Sequence, residues 1–309
     1  MSNILLYCAT VLIWGSTWYA IEFQLDQSAP GVQVSLCYRF GLAAVLLFAV
    51  CLLRSRSLRF APREHGYFLG LGLLLFGVNY MFSYAAQYYI VSALNAIVCS
   101  CMLWMNILNA RLWLNTHIDS HTWLGAACGI TGIMVVFWPS IQHLSLTDRI
   151  VTGLSYSFIG AFLASLGNIL SQASQIRGLP VLQSNAWGMC YGALFNGAAA
   201  LLSGEPFSFL STPAYVGSLF YLSVFGSVIA FGCYLTLLGR IGAHRAGYAM
   251  VIFPLVALVL SALFEGMALN AHVFAGVAIA IAGNLIIINR RRNNITQPGA
   301  EKLAMPEES

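Results

Sequence analysis

A chain of 309 residues that is 59% hydrophobic and only 8% charged cannot clothe itself in a water-soluble surface, because soluble domains carry about 25% charged residues. Lipid is the solvent that removes this difficulty. The composition therefore excludes an ordinary soluble enzyme or binding module and predicts an all-α polytopic membrane protein.

Apolar runs long enough to cross a hydrocarbon core predict ten transmembrane helices, at 3–22, 31–53, 66–86, 92–112, 122–138, 151–173, 181–203, 213–236, 246–264 and 271–289. No Lys or Arg precedes the first run, so it reads as a span and not as a cleavable signal. That span carries Trp14 and Trp18 one turn apart, with Thr17 between them. The second opens at Pro30 and holds Arg39, a strong charge inside a span, about a third of the way in from the outer face. A buried arginine needs a partner: Glu22, Glu265 and backbone carbonyls are the candidates. Its role reads either as structural pairing or snorkelling, or as gating or anion binding.

Polar side chains inside a span tend to face protein or water, and their spacing marks the face. In the third span Asn79, Ser83 and Gln87 run at steps of four beside Tyr80, Tyr84 and Tyr88. Gln87 and Tyr88 lie near the outer surface, where an aromatic belt is expected. In the fourth, Ser92, Asn95, Cys99, Met102, Asn106 and Asn109 form one stripe, with Trp104 beside it. The sixth offers Ser165, Asn168 and Gln172. The eighth offers Ser223, Ser227 and Tyr234. The ninth carries Tyr248 below Pro254 and ends at Glu265. Such stripes serve either as hydrogen-bonding glue between helices or as the wall of a cavity. Pro254 should kink its helix, making a hinge or releasing a carbonyl. The aromatic and amide character of this set suits neutral, zwitterionic or cationic organic ligands.

Charge placement orients the chain. Twelve of the fourteen Lys and Arg residues fall in the loops after spans 2, 4, 6 and 8 and in the tail, and only Arg149 lies in a loop on the other side. That bias places both termini in the cytoplasm. The tail from 291 to 309 is polar and reads as disordered.

The eight cysteines all lie in apolar stretches without disulfide or metal spacing. His117 and His121 stand four apart with no third ligand near them, so no metal and no cofactor are expected. No Asp or Glu lies near mid-membrane, which argues for downhill or weakly coupled movement in place of tight proton antiport.

The chain also repeats itself. Pro30-Gly-Val-Gln33 matches Pro180-Val-Leu-Gln183, His121-Thr-Trp-Leu-Gly125 matches His272-Val-Phe-Ala-Gly276, and Gly132 matches Gly283, all at an offset of 150 or 151. A duplicated five-helix unit follows: residues 1–145 and 146–290, then the tail. Five is odd, so the second unit enters from the opposite side and the halves are inverted repeats, a common device of secondary transporters.

Ile13-Trp-Gly-Ser-Thr17, Tyr38-Arg-Phe40, Leu238-Gly-Arg-Ile-Gly-Ala243, Pro254, Phe264-Glu-Gly266 and the glycines at 276 and 283 carry a further resemblance. In this order and spacing, over about residues 4–289, the chain resembles the EamA-type transporters of the drug/metabolite transporter superfamily. The resemblance implies a ten-helix inverted-repeat fold in the inner membrane, a central cavity walled by helices 1, 3, 4, 6, 8 and 9, and export of amino acids, small metabolites or toxic organics. It also implies aromatic cavity residues near Tyr80, Tyr84 and Trp104. The first half departs from the pattern: Leu114-Asn115 stands where an acidic residue is common, and no proline occupies the region of Met102 to Trp104.

The expected activity is therefore export of a small metabolite by alternating access through a central cavity. The partners are that solute and the bilayer, with no nucleic acid; oligomeric state is left open. A non-transporting scaffold or sensor is the competing reading. An intramembrane enzyme is weaker, because no HExxH, acidic dyad or membrane Ser–His pair is present.

Overall fold

A computed structural model describes residues 1–25, 29–90, 95, 98–142, 147–264 and 271–295. Among these the chain is helical with no strand. The helices are α1 (Asn3–Glu22), α2 (Val32–Leu53), α3 (Pro62–Leu75), α4 (Val78–Gln87), α5 (Met102–Leu114), α6 (Ser120–Val136), α7 (Asp148–Ile176) and α8 (Val181–Leu202). The set continues with α9 (Pro213–Ile241), α10 (Ala249–Phe264) and α11 (Ala271–Ile295). Single turns at Trp138–Ile141 and Ala243–Ala246 link neighbours. Among the described residues, five segments are long and apolar enough by themselves to cross a membrane: 3–21, 32–53, 62–87, 148–176 and 213–241.

Local chemistry sets the helix ends. Ser2, Asp119, Thr147 and Thr212 each accept a backbone N–H of the first turn, as N-caps do. Pro62 and Pro213 sit at the first helical position, where a missing N–H costs nothing. Gly178 and Gly242 follow α7 and α9 at φ +83° and +87°, a region open to glycine. The last helix runs to Ile295, so residues 291–295, expected in a disordered tail, are helical.

The third and eighth expected spans depart from a continuous α-helix where they border the cavity. The third breaks at Phe76-Gly77, where Gly77 adopts φ −120°, ψ −100°. The eighth, α9, passes through a π-helical stretch at Leu222–Ile229, a widening frequent at functional sites. The carbonyls exposed at these breaks are met by side chains from other helices. Asn196 Nδ2 donates to Phe76 O at 3.1 Å, and Trp14 Nε1 donates to Gly226 O at 3.2 Å. Pro254 leaves Met250 O without its helical donor, and Ser100 Oγ supplies one at 3.2 Å. That bond occupies the carbonyl that the proline releases.

Small residues bring helices together. A Cβ on Gly132 would lie 2.6 Å from the Ala280 nitrogen and the Gly276 oxygen, and one on Gly283 would lie 2.7 Å from Gly125 O. Thus α6 and α11 pack backbone to backbone, and α3 and α8 do so at Gly72, Gly188 and Gly192. Gly125, Gly129, Gly188 and Gly192 all take part in contacts within the chain. Apolar side chains such as Leu53, Leu112, Trp113 and Leu202 face outward, whereas Asn106, Ser165, Asn168 and Asn196 are buried. This arrangement, apolar outside and polar inside, suits lipid.

Candidate functional site

The buried aromatic cluster surrounds a cavity of about 130 Å³. Phe40 meets Phe76 at 5.4 Å between ring centres, Phe76 meets Phe231 at 5.0 Å, and Trp14 meets Phe231 at 5.0 Å and Tyr234 at 4.9 Å. Edge-on and tilted rings of this kind form a rigid apolar wall.

The first half contributes Trp14, Thr17 and Ile21 from α1 and Arg39 from α2. Leu75 of α3 and Asn79, Tyr80, Ser83, Tyr84 and Gln87 of α4 continue the wall, followed by Cys99 and by Met102 of α5. The second half contributes Ala164 and Asn168 from α7, Phe231 and Tyr234 from α9, and Met250 and Phe253 from α10. The break before α4 is what turns Asn79, Ser83 and Tyr84 onto this surface: the helix restarts at Val78 with a new phase.

Arg39 is only 3% exposed. Its Nε donates to Ser227 Oγ at 3.1 Å and its Nη1 to Tyr84 Oη at 3.4 Å. The guanidinium carbon lies 5.0 Å from the Tyr80 ring centre and 5.2 Å from that of Phe40. The partners that the structure describes for it are neutral hydroxyls and π-faces; of the acidic partners expected, the side chain of Glu22 and the whole of Glu265 lie outside what is described. Asn79 Oδ1 is buried without a hydrogen-bond partner among the described residues.

Twelve of the residues singled out from sequence come together on this wall: Trp14, Thr17, Arg39, Asn79, Tyr80, Ser83, Tyr84, Gln87, Cys99, Met102, Asn168 and Tyr234. The others lie off it. Ser157 Oγ donates to Asn95 Oδ1 at 2.5 Å, Asn109 Nδ2 to Ser165 Oγ at 2.9 Å, and Asn168 Nδ2 to Asn106 Oδ1 at 3.2 Å. The amide stripe of the fourth span therefore zips that span to α7, taking up Asn95, Ser165 and the Oδ1 of Asn106, while Asn106 Nδ2 is buried without a hydrogen-bond partner among the described residues. Trp104 packs against Trp123 at 5.1 Å. Tyr248 Oη donates to Thr122 O at 2.6 Å. Ser227 supports Arg39 from behind, and Pro254 is buried within α10. Glu265 lies outside the described residues.

Sequence reasoning passed over Phe231, Met250 and Phe253 because it followed polar atoms. Ser227, Phe231 and Tyr234 stand at i, i+4 and i+7, so Phe231 shares the face of two residues already marked. Gln87, assigned to the outer surface, lines the cavity as well.

A helical membrane protein with a ligand-sized cavity between its two halves is the class that this architecture defines. The EamA-like transporter family matches residues 1–138 and 151–289, and the chain belongs to that family. It is 26% identical over 287 residues to the "Uncharacterized inner membrane transporter YedA" of Escherichia coli K12, covering 88% of this chain and 89% of YedA. It is 22% identical over 289 residues to the "Uncharacterized transporter YoaV" of Bacillus subtilis 168, covering 92% and 97%. It is 24% identical over 306 residues to the protein PagO of Salmonella typhimurium LT2, covering 96% and 99%. A solved crystal structure superposes with a TM-score of 0.79 over 95% of this chain and 98% of that one, at 17% identity; the likeness is one of fold.

Proposed function

We propose that the protein is a secondary transporter of the cytoplasmic membrane that exports a small metabolite by alternating access, with both termini in the cytoplasm. The observation that carries this reading is the cavity: its wall is shared between α1–α5 and α7–α10, and it is lined by aromatic rings, amides and one arginine. Its volume is close to the ~150 Å³ of an apolar cavity known to hold benzene. A solute with one ring or a short chain fits it, such as an amino acid or a related zwitterionic, aromatic or cationic organic.

Helix pairing supports an inverted repeat. The pairs α2–α8 and α6–α11 exchange onto themselves when the halves are swapped. The pair α1–α10 exchanges with α7–α5, α1–α9 with α7–α3/α4, and α8–α3 with α2–α9. The break at Gly77 and the π-helical stretch at 222–229 also correspond at the repeat offset. Two halves built alike and entering from opposite sides can rock about a shared site.

Flux in proteoliposomes tests the reading. Within a pool of radiolabelled amino acids and small cationic organics, at least one solute should show saturable movement that Asn168→Leu weakens. Folded protein giving no flux above empty liposomes across that pool would count against it.

A further inference from the structure

We propose that Arg39 is the ligand-binding charge of the cavity and that the transported solute carries a carboxylate. The inference rests on the transporter reading and narrows its substrate class to organic anions and zwitterions, removing simple cations.

A guanidinium cannot shed its proton inside a protein and offers five N–H donors in a planar fork. On Arg39 two of these have partners among the described residues, the hydroxyls of Ser227 and Tyr84. Neither carries a charge. The faces of Tyr80 and Phe40 supply cation–π attraction, which offsets only part of the cost of holding a charge out of water. The side chain is 3% exposed, yet it lines the cavity. A carboxylate entering the cavity meets this charge in the bidentate geometry that arginine favours.

The surroundings fix this fork in place. Ser227 holds Nε from the π-helical stretch, and Gly226 beside it has no side chain: a Cβ there would lie 3.4 Å from Nη2. The rest of the wall is aromatic, with Trp14, Phe231 and Tyr234 in mutual contact. A carboxylate at Arg39 thus leaves an apolar or aromatic body against the rings. A cationic solute of the same shape meets the like charge of Arg39 instead.

Equilibrium binding to the purified full-length protein in detergent tests this with three probes that share one body: 3-phenylpropionate, L-phenylalanine and 2-phenylethylamine. The two carboxylates are expected to bind and to raise the melting temperature, and the amine to do neither. Arg39→Gln should weaken the carboxylates by roughly tenfold or more, as expected for loss of a charge-assisted pair, while Arg39→Lys recovers part of the affinity. Equal binding of the amine by the native protein, no binding of either carboxylate, or unaltered carboxylate affinity in a folded Arg39→Gln would each overturn the proposal. The probe series on the native protein remains decisive if the variant fails to fold. Binding with the expected charge preference but without flux would leave Arg39 as a carboxylate site and count against transport alone.

Discussion

Single side chains carry two measurable consequences. His244, in the turn between α9 and α10, is 7% exposed, and its Nδ1 has no hydrogen-bond partner among the described residues. Burial foremost, and then the neighbouring Arg245, push its pKa down to about 4, against a smaller opposing pull from Asp119. A depressed histidine pKa means that the unfolded chain takes up the proton first. Stability is therefore unaffected above about pH 6.5 and falls as pH drops from there toward 4, by roughly 3 kcal/mol when complete. Melting curves in detergent between pH 7.5 and 4 should show this loss, and His244→Gln should flatten it. Trp14→Phe is the second case. It keeps a ring against Phe231 but deletes the donor to Gly226 O, leaving a buried carbonyl short at a cost of about 1–3 kcal/mol. A variant as stable as the native protein would show that the π-helical stretch closes without help.

Helices meet where glycine lets them, and glycines that look alike in sequence differ sharply in place. Gly132→Leu drives a side chain into the backbone of α11 at Ala280 and Gly276. The expected result is poor recovery of monodisperse protein, because overpacking costs about 1–3 kcal/mol even where neighbours can yield and backbone yields less. Gly66, inside α3, has nothing within 4 Å of its would-be Cβ. Gly66→Ala should therefore be neutral or stabilise by up to about 1 kcal/mol through helix propensity, as thermal unfolding of the pair will show. Asn196 makes the same point for polar residues. It is fully buried, and its amide holds Phe76 O across the break between α3 and α4. Asn196→Leu should loosen α4 and, through Asn79 and Tyr84, the cavity wall. Loss of ligand binding with the protein still folded is the readout.

At the scale of the whole molecule, alternating access predicts that cavity residues near opposite ends are reached from opposite sides. Cysteines at Ile21 and Met250, which both line the cavity, should label in opposite senses as the carrier switches. The background must lack the native cysteines, because Cys99 faces the same space. Equal labelling from both sides in every condition would fit an open pore. The helical class, the membrane setting and the family were legible in the chain because hydropathy, caps and charge act over one or two turns: Pro62, Asp119 and Pro213 stand where local rules put helix starts. Much of the cavity was legible too, since Asn79, Tyr80, Ser83 and Tyr84 share a face that polar spacing reveals. Where each polar stripe points was not. Asn95 and Asn106 carry the same signal as Asn79, yet their amide oxygens are taken by Ser157 and Asn168 on α7, because a membrane amide takes whichever donor or acceptor the neighbouring helix presents. Packing alone set the breaks at Gly77 and in α9, and packing placed Arg39 against hydroxyls and rings. Each of these depends on contact between helices far apart in the chain, and a one-dimensional pattern holds no record of such contacts.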